Sequence, residues 1–247
     1  MISSMTNVLQ AARQLRAEGK FTECYQLVNS ELSPPAEYAS LIWQHQPLFW
    51  SNIDSGSCRL TRRHGADADF LRELWSDCNF KQNFHRQAPD LPAGDELKRV
   101  LNLEFVSLLS ESKSIHWVIR DKKLRPWGLL SLTDVSLQHR RAEVLIGLKD
   151  GTPLGLTIAA MLSMFEFFFG VMQFKKMLAL IYGDNPHALK VALKLGFKLE
   201  GHLKEHMQDP KSQKFVDLLQ LGVFRGDALS TSNTHLAMRL MKRSTHI

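Results

Sequence analysis

Residues 181–201 read IYGDNPHALKVALKLGFKLEG, and this stretch decides the fold. Ile181 and Tyr182 end a strand, Gly183 and Asp184 turn, and a short helix begins after Asn185. A Lys-Leu-Gly-Phe turn ends that helix, with Gly196 suited to a left-handed cap. The next strand follows at once. Asn185 precedes Pro186, the arrangement of an Asx-turn that starts a helix. A side-chain amide at a strand end, facing a helix start, can equally hold a polar ligand by hydrogen bonds.

Upstream, short apolar runs mark strands at 58–62, 115–120, 127–133, 143–148 and 176–182; two more follow at 198–206 and 215–224. Asp67 stands where it could cap a helix carrying Phe70, Leu71, Leu74 and Trp75. Residues 80–94, with Pro89, Pro92 and Gly94, read as a loop. Asp95 starts a helix with Leu97, Leu101, Phe105 and Leu108 in phase. Strands with few helices and hairpin-like joins predict an α/β (α+β) domain around a mixed, mostly antiparallel sheet. It spans residues 57–227.

Residues 1–50 read as a helical appendage. Val8, Leu9, Ala12 and Leu15 lie at helical spacing, and a second face follows Glu18-Gly19-Lys20. The Ser/Gly-rich stretch 52–57 reads as a linker. Residues 228–247 form a tail, with a helix over 235–242. The segment Leu154–Met172, LGLTIAAMLSMFEFFFGVM, is long enough to span a bilayer, but it carries Glu166 near its centre. A buried helix is the expectation, and no membrane partner.

The chain has 247 residues and a formal charge of +6, with net −2 over 1–56, +5 over 57–227 and +3 over 228–247. A mildly basic body suits an anionic small partner. Without a dense Lys/Arg stripe interleaved with aromatics, nucleic acid is not expected. The three cysteines, Cys24, Cys58 and Cys78, form neither a disulfide framework nor a metal-ligand spacing. No metal is expected. With no apolar signal run at the start, the chain reads as cytoplasmic.

Three segments in order, LTRRHGADADFLRELWSD, WGLLSLTDVSLQHRRAEVLIGL and NPHALKVALKLGFKLEGHLKEH, resemble the GNAT superfamily of N-acetyltransferases. They are most similar to the ribosomal-protein N-terminal acetyltransferase branch and its small-amine relatives. The resemblance implies acetyl-CoA as co-substrate and a primary amine as acceptor: a protein N-terminus, an amino sugar or another small amine. It allows a homodimer.

It also implies a sheet whose 144–148 strand splays from 176–182, leaving a V-shaped slot. Backbone at Ile146, Gly147 and Leu148 would pair with the pantetheine. The loop Thr152, Pro153, Leu154, Gly155, Leu156, Thr157 would take the pyrophosphate at a helix start, where exposed amides favour anions. This loop departs from the family pattern: aligned on Gly155, Thr152 and Thr157 replace the outer motif residues. Asn185 would contact the pantetheine or its loop. The Tyr that protonates the departing thiolate in many relatives is Ala192 here.

An ammonium must lose a proton before it attacks a thioester, so a base is expected at the slot mouth. Glu143 is the first candidate; a strand-end salt bridge with Arg140 or Arg141 is its other reading. His139 and His116 are read as a solvated tip and a partnered interior residue. Phe80, Phe84 and Trp127 are assigned as an aromatic lip for the acceptor, with Arg86 and Asp134 in its pocket. The alternative function is a catalytically degenerate acyl-CoA-binding or interaction protein, which the altered loop and absent Tyr would suit.

Overall fold

The computed structural model describes residues 52–106, 113–136 and 138–230, together with 10, 11, 14, 15, 18, 20, 23, 27, 232 and 233. The 235–242 helix and most of the 1–50 appendage lie outside the described residues. Of that appendage, Leu15 and Leu27 pack against the main core.

The elements are β1 (Ile53–Asp54), β2 (Arg59–Arg62), α1 (Ala68–Ser76), α2 (Cys78–Phe84), α3 (Glu96–Val106), β3 (Ile115–Arg120), β4 (Pro126–Ser136), β5 (Arg141–Leu148), α4 (Leu156–Phe165), β6 (Lys176–Tyr182), α5 (Pro186–Lys194), β7 (Lys198–Gln208), β8 (Phe215–Phe224) and α6 (Arg225–Ala228). They build one eight-stranded sheet in the order β1-β2-β3-β4-β5-β6-β8-β7. Among the described residues only β5 and β6 run parallel; the other neighbours are antiparallel.

The sheet divides two cores. On one face α4 packs over Trp117, Leu130, Leu132, Val144 and Met177. On the other, Phe70, Leu71, Leu74, Leu97 and Leu101 from α1 and α3 cover Val118 and Leu129. Helical spacing puts Phe70, Leu71 and Leu74 on one stripe, so a single packing contact buries all three. β4 is central and buried on both faces, which is why Leu129 to Leu132 is nearly unbroken apolar sequence.

Three local expectations change, and a fourth, the buried helix, holds with one refinement. The 80–94 loop begins with α2, because the Asp77 carboxylate accepts from the Asn79 and Phe80 N–H groups and starts a helix. Asp67 does not cap α1. His64 caps a short 3₁₀ turn at Gly65–Asp67, and the Asp67 carboxylate reaches back to the His64 N–H. The 52–57 linker contains β1, paired to β2. The long apolar segment is α4 followed by a π-helical turn, Glu166–Val171. That wider turn buries Phe167, Phe168 and Phe169 together and leaves Glu166 exposed. Among the described residues no helix is long and apolar enough to cross a membrane.

Candidate active site

β5 and β6 pair at three positions, Arg141 with Lys176, Ala142 with Met177 and Glu143 with Leu178. Beyond Glu143 the ladder stops, although β5 continues to Leu148 and β6 to Tyr182. The outer edges stay zipped: β5 pairs with β4 up to Leu148, and β6 pairs with β8 through Tyr182. The sheet therefore opens as a V at the C-terminal ends of its one parallel pair.

Side chains alternate across β5, so Glu143, Leu145 and Gly147 share the face that α2 covers. Gly147 makes that contact possible. A Cβ there would stand 2.8 Å from ring atoms of both Phe80 and Phe84. These two rings stack at 4.9 Å and 22°. Their third neighbour is Trp75, at 5.6 and 6.4 Å. Trp127 lies apart, its indole N–H on Asp121 and its ring beside Arg125 and Lys149.

The same helix is tied to the far arm of the V. The Asn185 side-chain NH₂ donates to the Asn83 side-chain oxygen (Oδ1) at 3.1 Å, while its own side-chain oxygen caps α5 by accepting the Ala188 N–H. Arg86, directly after α2, is buried; its guanidinium binds Asp184 and Asp209 and also donates to the Gln82 carbonyl. It lies 4.1 Å from the Tyr182 ring centroid, and its backbone N–H donates to the Tyr182 hydroxyl. Asp209 also accepts from the Lys211 and Ser212 N–H groups and from Gln82. Led by the Ser212 bond, these hold its carboxyl at about 2. Arg86 thus fastens α2, the end of β6 and the β7–β8 turn together, and its donors are occupied by protein.

Glu143 is the last paired residue before the V. Among the described residues its carboxylate makes no ion pair or hydrogen bond; Arg141 instead pairs with Asp134 at 2.6 Å. Asp134 sits on a β4 bulge at φ 43°. Burial raises the Glu143 pKa above the ordinary carboxylate value, and the nearby Asp134 charge adds to it. An ionised carboxylate with a raised pKa is a stronger proton acceptor than an exposed one.

β5 leads into the loop before α4. Thr152 Oγ1 donates to the Lys149 carbonyl at 2.6 Å, and Asn79 donates to Asp150 at 3.4 Å. Gly155 takes φ 87°, a left-handed conformation that sets the entry into α4. The Leu156 N–H folds back on the Pro153 carbonyl. Those of Thr157 and Ile158 have no acceptor among the described residues, as expected of a first helical turn. Leu154 is fully exposed. Free amides and a positive helix end thus stand beyond the wide end of the V.

The two histidines separate as expected. His139 is exposed in the β4–β5 turn. His116 is interior, bonded to Ser131 at 2.7 Å, and burial with Arg63 and Arg62 nearby holds its pKa well down. Ala192 is buried inside α5. Asn83, Gln82, Tyr182, Asp184 and Asp209 escaped the sequence reading. Only Asp184, in Gly-Asp-Asn-Pro, stood in a motif, and its partner is far away in the chain.

Comparison with known proteins agrees with this geometry. Residues 59–198, more than half of the chain, match the family described as acetyltransferase (GNAT) domain. No curated protein matches. Among solved structures, the chain is similar to spermidine N-acetyltransferase from Vibrio cholerae in complex with CoA and spermine (TM-score 0.61, 18% identity, 70% of this chain and 99% of that one). It is also similar to a dodecameric structure of spermidine N-acetyltransferase from the same organism, in an intermediate state (TM-score 0.58, 20% identity, 70% and 97%).

Proposed function

Because the chain belongs to the acetyltransferase (GNAT) domain family, whose co-substrate is acetyl-CoA, we propose that it acetylates the primary amine of a small alkylamine by direct attack. The observation that carries this is the end of the β5–β6 ladder at Glu143 and Leu178. An unpaired strand edge can accept an extended polar chain as an added strand. The pantetheine amides would run along Val144–Leu148, and the pyrophosphate would meet the free amides at Thr157 and Ile158.

In this reading the acceptor enters from the α2 side, past Phe84. Glu143 takes the ammonium proton, directly or through one water. The amine nitrogen then bonds to the acetyl carbonyl carbon, the C–S bond breaks as the coenzyme A thiolate leaves, and the nitrogen sheds its second proton to solvent to leave the neutral amide. A protonated donor or solvent returns a proton to sulfur, since Ala192 supplies none. The Glu143 carboxylate, unpaired among the described residues, favours a cationic acceptor, and spermidine-acetylating neighbours agree with a small polyamine-like amine over a ribosomal-protein N-terminus. Asn185 and Asn83 hold the mouth open, Phe80 and Phe84 form its α2 wall, and Arg86 positions that wall.

A thiol-release assay with acetyl-CoA tests this, using spermidine, spermine, simple alkylamines, amino sugars and peptides with free N-termini. Turnover of the alkylamines is expected. Turnover of peptides alone would move the chain to the ribosomal-protein branch. Tight acetyl-CoA binding without turnover of any amine would make it a degenerate acyl-CoA-binding protein.

A further inference from the structure

The sheet face that carries Glu143 continues across β6, β8 and β7. Among the described residues it stays open there, with Leu180 38% and Phe224 48% exposed. Strand register lays a row across this face. Glu143 stands opposite Leu178, and Leu178 stands opposite Gly222. Residues directly opposite on neighbouring strands point to the same side, so the row shares the face of the candidate base. Gly222 has no side chain, and the bay it leaves is filled from β7. A Cβ at Gly222 would meet the Glu200 carboxylate at 2.5 Å. Glu200 therefore leans back over β8 toward β6. Two strand steps, roughly 10 Å at the usual spacing, separate its carboxylate from the Glu143 position. The half-buried Leu178 lies between them.

Glu200 already holds an alkylammonium. Lys176 Nζ lies 2.7 Å from Glu200 Oε2 and 5.5 Å from the Phe224 ring centroid. The protein's own lysine thus shows that this spot accommodates a primary ammonium between a carboxylate and an aromatic face. An ionised carboxylate accepts more than one donor. Glu200 Oε1 has no partner among the described residues. The neighbouring charges on the face are matched, because Arg141 is held by Asp134.

We propose that Glu200 is a specificity-determining residue that takes the second ammonium of a diamine or polyamine acceptor. The reactive ammonium then sits at Glu143 and the methylene chain lies on Leu178. For the reaction, though not for binding, this rests on the amine-acetylating function above. Lys176 is a built-in competitor for the same carboxylate. A partly exposed ion pair is worth little by itself, so Lys176 weakens the subsite without closing it. A monoamine with the same carbon chain gains nothing from Glu200.

The test compares butylamine, putrescine, cadaverine and spermidine in two ways: thiol release with acetyl-CoA, and calorimetric binding to the full chain saturated with coenzyme A. The best of the three polyamines should bind about tenfold or more tighter than butylamine, the worth of one charge-assisted hydrogen bond. Its KM should be lower by a similar factor. Glu200→Gln keeps the shape and removes the charge, and should reduce that preference by about tenfold. Lys176→Met keeps the stem and removes the competing ammonium, and should increase the preference. Polyamine binding no tighter than that of butylamine, or a preference unchanged in either variant, would overturn the subsite. Tight polyamine binding that depends on Glu200, without turnover of any amine, would uphold the subsite and overturn the acetylation function instead.

Discussion

Asn185 and Asn83, 102 positions apart, are joined by a 3.1 Å hydrogen bond across the mouth of the V. Asn83 belongs to the helix lying on β5, and Asn185 to the turn that leaves β6. The V is thus a gap held at a fixed width by a strut, because α2 presses on one arm at Gly147 and grips the other through Asn83 and Arg86.

The two asparagines separate by mutation. Asn185→Ala loses both the α5 cap and the strut bond and should cost about 1–2 kcal/mol in urea unfolding. Asn83→Ala keeps the cap and should cost about 1 kcal/mol or less. Both should raise the KM for acetyl-CoA, and equal stability losses would show that the cap contributes nothing.

Glu143→Gln should lower kcat/KM by about 10²–10⁴-fold, the usual worth of a positioned base. The acid limb of the pH–rate profile should lie above the ordinary Glu pKa, because burial raises Glu143. Asp134→Asn removes a neighbouring negative charge and should shift that limb to lower pH. A raised folded pKa makes the ionised carboxylate destabilising above its unfolded pKa. Glu143→Gln should therefore melt at a higher temperature than the wild type at pH 7 while losing activity.

Gly147→Ala sets a methyl 2.8 Å from the Phe80 and Phe84 rings. Overpacking there should cost about 1–3 kcal/mol and raise the KM for the amine as α2 lifts from β5. Adding Phe84→Leu should recover part of the stability. Failure of the double variant to recover any would place the clash elsewhere.

Arg86 is buried among its partners, so Arg86→Ala should act on folding before it acts on substrate, costing about 3 kcal/mol in chemical denaturation. Arg86→Lys should restore only part, since an ammonium lacks the fork that grips Asp184 through both nitrogens. Phe84→Leu, in contrast, should change the amine KM with little loss of stability. A fully stable Arg86→Ala with altered amine KM would return Arg86 to the acceptor pocket.

Much of this molecule follows from short-range pattern. The Asn185-Pro186 helix start and the strands at 115–120, 176–182 and 215–224 stand where period and turn chemistry put them, and Gly196 takes φ 95°. α2 was missed because its prolines lie after it, at 89 and 92, and drew the whole 80–94 stretch into a loop. The Asp77 cap that starts it was the available signal. Asp67 was misplaced because an acidic residue before an apolar stripe looks the same whether it caps the helix or braces the turn ahead.

The amino-acid sequence by itself determined the elements, their order and a sheet with two faces to cover, since side-chain period and turn propensity act over a few residues. Only the tertiary structure decided where the single parallel ladder stops and what fills the flanks. It chose Trp75 rather than Trp127 to complete the aromatic cluster, gave Arg86 to Asp184 and Asp209, and left Glu143 without a partner among the described residues. The Arg86 contacts join segments about a hundred residues apart, and in each case three-dimensional geometry selects among chemically similar partners while no local pattern records the choice.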